Sequence, residues 1–287
     1  SHTSKIVVVG PPSIAGADVD YTFYQMGIGE KIADAEGTCG NLMSAVGPFA
    51  INEGLVAVGD NETVRKLVIY DTNINKMIEE YVPVINGKAR TSGDYQMKGV
   101  IHPGAKIRMD ILRPGGGKTG STLPLGAICM LRGLDKIYEV TFADIVNPLL
   151  LVNIADFGYK GCEQLTELSA DNIFMEKIKY LRNQAVVAIG WAKDPAEARE
   201  ISPVIRRVAL LAPPMDYVTT SGKTIRAHEV DIVAKLLSFN KLHRTFAASG
   251  LYCLAAACIL SGTIADKLAG KNGGEGEQNI RIGHPDG

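Results

Sequence analysis

Strand-like runs punctuated by glycine, proline and asparagine dominate this chain. Apolar alternation and short continuous apolar runs predict strands at residues 5–9, 20–27, 64–71, 77–83, 88–92, 106–111, 137–140, 146–153 and 185–190. The run Ile6-Val7-Val8-Val9 reads as a buried strand, and Asn86-Gly87 as a hairpin turn. Two helices stand out against this background. The first runs from about Asn41 through Leu42-Met43-Ser44-Ala45-Val46-Gly47-Pro48-Phe49-Ala50-Ile51 to Gly54. The second runs from about Ser249 through Leu251-Tyr252-Cys253-Leu254-Ala255-Ala256-Ala257-Cys258-Ile259-Leu260. Both are apolar on nearly every side, which predicts that protein surrounds them. Three ordinary amphipathic helices are expected at 163–168, 171–183 and 227–241; the last carries Val230, Ile232, Val233, Leu236 and Leu237 at helical spacing and would cover a sheet or a dimer face. Residues 270–278, with four glycines, read as a polar flexible loop.

The two apolar helices open alike: Thr38-Cys39-Gly40-Asn41 before the first, Ala248-Ser249-Gly250 before the second. This implies an α+β fold of two pseudo-repeated domains, 1–112 and 113–287, each a curved sheet around one buried helix.

Composition narrows the function. The 287 residues are 46% hydrophobic and 21% charged, with a net charge of −1, so there is no basic footprint for nucleic acid. No apolar run reaches the roughly 20 residues that span a bilayer, and nothing resembles a signal peptide. The reading is a cytoplasmic protein without membrane or nucleic-acid partners. The five cysteines are odd in number and form no Cys-x-x-Cys pair, which argues against disulfides and a structural zinc site. Cys253 and Cys258 read as packing groups, and Cys129 and Cys162 have no distinguishing context. Both chain ends abut core-like strands, so terminal segments of a longer parent protein are expected beyond them.

Cys39 carries the most chemical information. Backbone N–H groups at a helix start lack intrahelical acceptors, and with the macrodipole they favour negative charge. A cysteine there gains thiolate character, and the same donors can hold a carboxylate or a developing enediolate. A buried, inert thiol is the competing reading. Lys5, alone, reads as a solvent-facing lysine at a strand start, and His2 and Ser4 as surface residues. The segment Arg113-Pro114-Gly115-Gly116-Gly117-Lys118-Thr119-Gly120-Ser121 lacks the spacing of a phosphate loop, and Pro124 prevents the helix that a dinucleotide motif must open. A glycine-rich turn contacting an anion remains open there.

Asp34-Ala35-Glu36-Gly37-Thr38-Cys39-Gly40-Asn41-Leu42, continuing Ser44-Ala45-Val46-Gly47-Pro48-Phe49-Ala50-Ile51-Asn52-Glu53-Gly54, resembles the cysteine motif of the PrpF family. That family includes 2-methylaconitate cis–trans isomerase, methylitaconate delta-isomerase and oxalomesaconate tautomerase, within the diaminopimelate epimerase and proline racemase superfamily. Ser1-His2-Thr3-Ser4-Lys5-Ile6 looks like its lysine motif. Further similarity lies in Asp71-Thr72-Asn73, Thr119-Gly120-Ser121-Thr122-Leu123-Pro124, Asn147-Pro148, Ser261-Gly262-Thr263 and Arg281-Ile282-Gly283-His284-Pro285. The resemblance spans essentially the whole chain. It implies two epimerase-like domains with the site in the cleft between them, no cofactor and no metal, and Lys5 and Cys39 as the acid–base pair. The expected substrate is a small unsaturated di- or tricarboxylic acid whose C=C bond is shifted or isomerised. Ser4, Gly40, Asn41, Thr72, Asn73, Thr119, Gly120, Ser121, Ser249, Gly250 and His284 are the expected substrate-binding residues. A homodimer is compatible with the resemblance. Two other readings stay open: an amino-acid racemase or epimerase of the same fold, which Ser249 in place of a second cysteine disfavours, and a non-catalytic carboxylate-binding or scaffold protein. The family's amino-terminal arginine- and glycine-rich segment is absent, as is its last carboxy-terminal portion, and Asp286 stands where small residues are usual.

Overall fold

The computed structural model describes residues 4–27, 31–96, 102–201, 206–271 and 276–287. His2, Thr3 and the centre of the expected 270–278 loop lie outside these. The chain divides into two compact units, Ser1–Pro114 and Gly115–Gly287.

The first unit contains β1 (Lys5–Gly10), β2 (Val19–Met26), β3 (Ala33–Asp34), α1 (Gly40–Met43), α2 (Val46–Asn52), β4 (Val64–Asp71), β5 (Lys76–Ile85), β6 (Lys88–Ala89) and β7 (Arg108–Ile111). Its strands form one sheet in the order β1-β2-β4-β5-β6, with β3 on β2 and β7 on β5. All neighbours are antiparallel except β2 and β4, which run parallel and are joined through the helical segment. The inward positions of β2, β4 and β5 alternate strictly, so Val19, Tyr21, Phe23, Leu67, Ile69, Ile78 and Val82 meet Met43, Val46, Ala50 and Ile51 of the helices in one core. Asn86 and Gly87 both have positive φ, 51° and 74°, as a two-residue hairpin turn requires.

Two expectations for this unit are corrected. β1 is an edge strand rather than a buried one: Ile6 is 49% and Val8 52% exposed, and only the alternate residues turn towards the core. The first apolar helix is broken in two. Pro48 has no N–H for the Ser44 carbonyl, and its ring would crowd that carbonyl, so the helix stops at Met43 and restarts at Val46. It is also not enclosed on every side within the unit, because Phe49 is 48% exposed.

The second unit contains β8 (Cys129–Arg132), β9 (Ile137–Ile145), β10 (Asn147–Asn153), α3 (Leu165–Ala170), α4 (Asn172–Ala188), β11 (Val208–Ala212), β12 (Tyr217–Val218), β13 (Thr224–Ile225), β14 (Ile232–Ser238), β15 (Lys241–Leu242), α5 (Ala248–Ala257), α6 (Ile264–Ala269) and β16 (Ile282–Gly283). The main sheet runs β15-β14-β11-β10-β9-β8, with β16 parallel to β14. Alternate residues of its central strands, such as Val140, Phe142, Leu150, Val152, Val208, Leu210, Val233 and Leu237, pack with Phe174, Ile178 and Leu181 of α4. The opposite face meets α5 and α6: Cys253 Sγ reaches the Ala143 carbonyl at 3.6 Å, and the Ile264 N–H donates to Thr141 Oγ1 at 3.0 Å.

A sheet covered on both faces needs apolar residues at consecutive positions, and this overturns the helix expected at 227–241. Its centre is the strand β14, buried at all seven positions, with only a short 3-10 turn at Ala227–Glu229 before it. The dimer face attributed to that helix goes with it. Residues 185–190, expected as a strand, are instead the end of α4 and the turn that follows it. Asp171 caps α4 by accepting the Phe174 N–H at 3.0 Å. Within its own unit, α5 leaves Leu251, Tyr252, Ala255 and Ala256 half-exposed. Among the described residues, no helix is long and apolar enough to cross a membrane.

Candidate active site

Lys5 opens β1 opposite Gln25 of β2, and Cys39 is the N-cap of α1, with extended backbone angles of −120° and 104°. The fold brings their side chains together: Lys5 Nζ lies 3.7 Å from Cys39 Sγ, and both residues are half-buried. Sequence alone placed Cys39 at a helix start; the structure supplies the amine beside it.

The frame holding this pair is made largely of buried polar groups. Asp71, fully buried at the end of β4, accepts the Thr38 hydroxyl at 2.5 Å through Oδ2 and the Asn73 N–H at 3.0 Å through Oδ1. The Asn73 side chain donates to the carbonyls of Phe23 and Ala35 at 2.9 and 2.7 Å and accepts the Phe23 N–H at 2.8 Å. These bonds tie β2, the end of β4 and the chain entering Cys39 into one piece. Tyr21 is completely buried, and its hydroxyl donates to the Cys39 carbonyl at 3.3 Å. Burial, more than any neighbouring charge, pushes the Tyr21 phenol well above its ordinary range. It therefore acts as a fixed hydrogen-bond donor.

The expected binding residues fall into different groups. Gly40 and Asn41 begin α1 beside Cys39, and Asn41 is exposed. The carbonyl of Ser4, next to Lys5, accepts the Gln25 side-chain amide at 2.9 Å. The Thr72 hydroxyl pairs with Thr22 Oγ1 at 2.7 Å and reaches the Tyr21 carbonyl at 3.2 Å. Asn73 commits both ends of its amide to backbone, so its role in the structure is to hold the frame.

In the second unit, Asp144 Oδ2 accepts the Lys118 and Thr119 N–H groups at 2.8 and 2.6 Å and the Thr119 hydroxyl at 2.8 Å. This folds Thr119-Gly120-Ser121 into a turn with Gly120 at a φ of 81°. Ser249 and Gly250 lie in the first turn of α5, both buried. The Ser249 hydroxyl accepts from Asn147 Nδ2 at 2.8 Å and Arg207 Nη1 at 3.1 Å. Sequence reading missed Arg207, for which residue type and spacing gave no signal. His284 lines a small pocket with Lys235, Cys162, Gln164 and Tyr217, its carbonyl accepting the Tyr217 hydroxyl at 3.0 Å.

The whole chain, residues 1–287, matches the family model described as PrpF protein. It is 35% identical to the 3-methylitaconate isomerase of Eubacterium barkeri over 99% of this chain and 74% of that one. It is 33% identical to the 2-methyl-aconitate isomerase of Shewanella oneidensis, covering 100% of this chain and 73% of that one. The crystal structure of methylitaconate-delta-isomerase superposes with a TM-score of 0.86 at 34% identity, over 99% of this chain and 73% of that one. With both sequence and fold in agreement along its full length, the chain belongs to the PrpF family and is an isomerase.

Proposed function

We propose that this protein isomerises the C=C bond of a small unsaturated di- or tricarboxylic acid, of the kind its relatives are named for, by proton transfer through Lys5 and Cys39 and without a cofactor. The observation that carries this reading is the 3.7 Å approach of Lys5 Nζ to Cys39 Sγ at the start of α1. One of the two groups removes a proton from a carbon conjugated with a carboxylate. The resulting anion is delocalised, and a proton then returns to another carbon, or to the same carbon after rotation. Such carbon acids are weak, so the anion needs donors already in place. The N–H groups that α1 leaves unpaired next to Cys39 supply them. No electrons are gained or lost overall, so the chemistry asks only for proton transfer.

A two-base racemase is the less favoured alternative. The position corresponding to a second thiol is Ser249, a residue 2% exposed whose hydroxyl already accepts two hydrogen bonds. The test is proton NMR of the protein with a panel of methylaconitate, aconitate, methylitaconate and oxalomesaconate in deuterated water. New vinyl or methyl signals with deuterium at the allylic carbon support the reading. Binding with neither isomerisation nor exchange would reject it.

A further inference from the structure

Gly47 is the second residue of α2, so its N–H is one of those that a helix start leaves without an acceptor. In an unbroken helix continuing α1 it would reach the Met43 carbonyl. Here Glu80 Oε2, from β5, accepts it at 2.8 Å. Glu80 is completely buried, and its Oε1 has no hydrogen-bond partner. Burial raises its pKa and the Gly47 N–H opposes that, and among the described residues no ion pair reaches it. A Cβ on Gly47 would stand 2.6 Å from Oε2 and 2.7 Å from Val82 Cγ2, so the missing side chain is what lets the carboxyl reach the backbone.

A lone buried carboxyl group is a costly way to pack a core, and an apolar side chain of similar size would ordinarily serve stability better. The place where Glu80 acts gives the reason for it. It holds Gly47 at the restart of the helix, and the helical turn just before that break is α1, which carries Cys39 at its cap. Asp71 secures the same segment from the other end through Thr38.

We propose that Glu80 is a positioning residue for the Lys5–Cys39 pair: by accepting the Gly47 N–H it fixes the break between α1 and α2, and with it the direction in which the Cys39 thiol faces Lys5. This rests on the Lys5–Cys39 reading above. Burial pushes the Glu80 carboxyl up to about 8, so it serves as a neutral acid near neutral pH, and an amide can replace it as acceptor.

The test compares Glu80→Gln, Glu80→Met and Cys39→Ala in turnover and folded fraction, with the iodoacetamide rate at Cys39 followed by peptide mass in the two Glu80 variants. Expected are a kcat within about threefold of the parent for Glu80→Gln and a kcat loss of roughly 30-fold or more for Glu80→Met, because small displacements of a reacting group cost that much. KM should change little in Glu80→Met, its thermal midpoint should stay within a few degrees of the parent's because the unpaired Gly47 N–H offsets the relief of a buried carboxyl, and its Cys39 alkylation rate should depart from the parent's. Normal kcat in Glu80→Met, a loss that tracks unfolding, or equal losses in Gln and Met would each overturn the proposal. Should Glu80→Met not fold, Glu80→Asp takes its place: its shorter carboxyl cannot reach Gly47, so it must lose kcat where Gln keeps it, and equal values overturn the idea. Turnover surviving in Cys39→Ala removes the underlying pair instead, whereas an inactive Cys39→Ala with a normal Glu80→Met removes only the role of Glu80.

Discussion

The Thr38 hydroxyl donates to Asp71 at 2.5 Å inside the first unit, one residue before Cys39 in the chain. A buried carboxylate is thereby spent on the approach to the thiol rather than on the thiol itself. Thr38→Val should leave Asp71 short of a hydrogen bond and lower stability by about 1–3 kcal/mol. Because the Cys39 backbone then loses an anchor, kcat should fall more than KM rises. Urea unfolding and steady-state kinetics on the one variant check both parts; unchanged kcat would show that the approach needs no such anchor.

Lys5 and Cys39 are both half-buried, so replacing either removes little packing. Lys5→Met and Cys39→Ser should each lower turnover by about 10²–10⁴-fold, the usual worth of a positioned proton-transfer group. Their thermal midpoints should stay close to the parent's. Activity is followed by NMR and folding by calorimetry, and near-parental turnover in either variant rules out its assigned role.

Glu80 predicts a pH dependence of stability. Its carboxyl is raised from 4.5 to about 8 in the folded protein by burial. The folded state therefore holds a proton that the unfolded state releases above its lower pKa. The contribution is fully present below 4.5 and is lost as pH rises through about 8. The effect is on the order of a few kcal/mol. Urea midpoints measured between pH 5 and 9 should fall for the parent and fall much less for Glu80→Gln; parallel curves would contradict it.

Asp231 predicts the opposite trend. It sits in front of β14, 6% exposed, and accepts the Arg281 N–H at 2.7 Å and Nη2 at 2.8 Å, with Lys271 Nζ at 3.0 Å. The Arg281 side chain, first, and then its backbone N–H and Lys271 hold the carboxyl well below its usual range, against the effect of burial. Its stabilisation is present above the ordinary value of 3.8 and is lost as pH falls through the lowered one. Asp231→Ala should cost about 1–3 kcal/mol, mainly because the Arg281 N–H loses its acceptor while the partly exposed Arg281 and Lys271 side chains can turn to water, and it should release β16 from β14. Hydrogen exchange at Val233, Ile282 and Gly283 reports that release; unchanged protection would show that β16 is held by other contacts.

Much of this molecule could be read in advance where one physical requirement acted alone. The alternation in β2, β4 and β5 follows from a sheet with one face on the core. Cys39 before a helix start was visible because capping is local. β14 was misread because Ile232, Val233, Leu236 and Leu237 satisfy helical spacing, while a strand buried on both faces needs no spacing at all. The break after Met43 followed from Pro48, but the apolar composition on either side masked it. Arg207 and Glu80 were out of reach: their meaning lies in contacts across 42 and 33 residues, with Ser249 and Gly47.

The parallel pairing of β2 with β4 also governs how the site comes into being. Hairpins such as β4–β5 close over short stretches of chain, but a parallel pair cannot form until the whole crossover between its strands has been laid down. Cys39 rides on that crossover, and Lys5 sits on the strand beyond β2. Thr38 finds Asp71 at the end of β4, so the frame around Cys39 is complete only after that long-range closure, the slowest kind of step for a chain to make. The local pairs of β2 with β1 and β3 can bring the Cys39 segment near Lys5 early in refolding, but the setting that fixes the thiol arrives only with the last large loss of chain entropy in that unit.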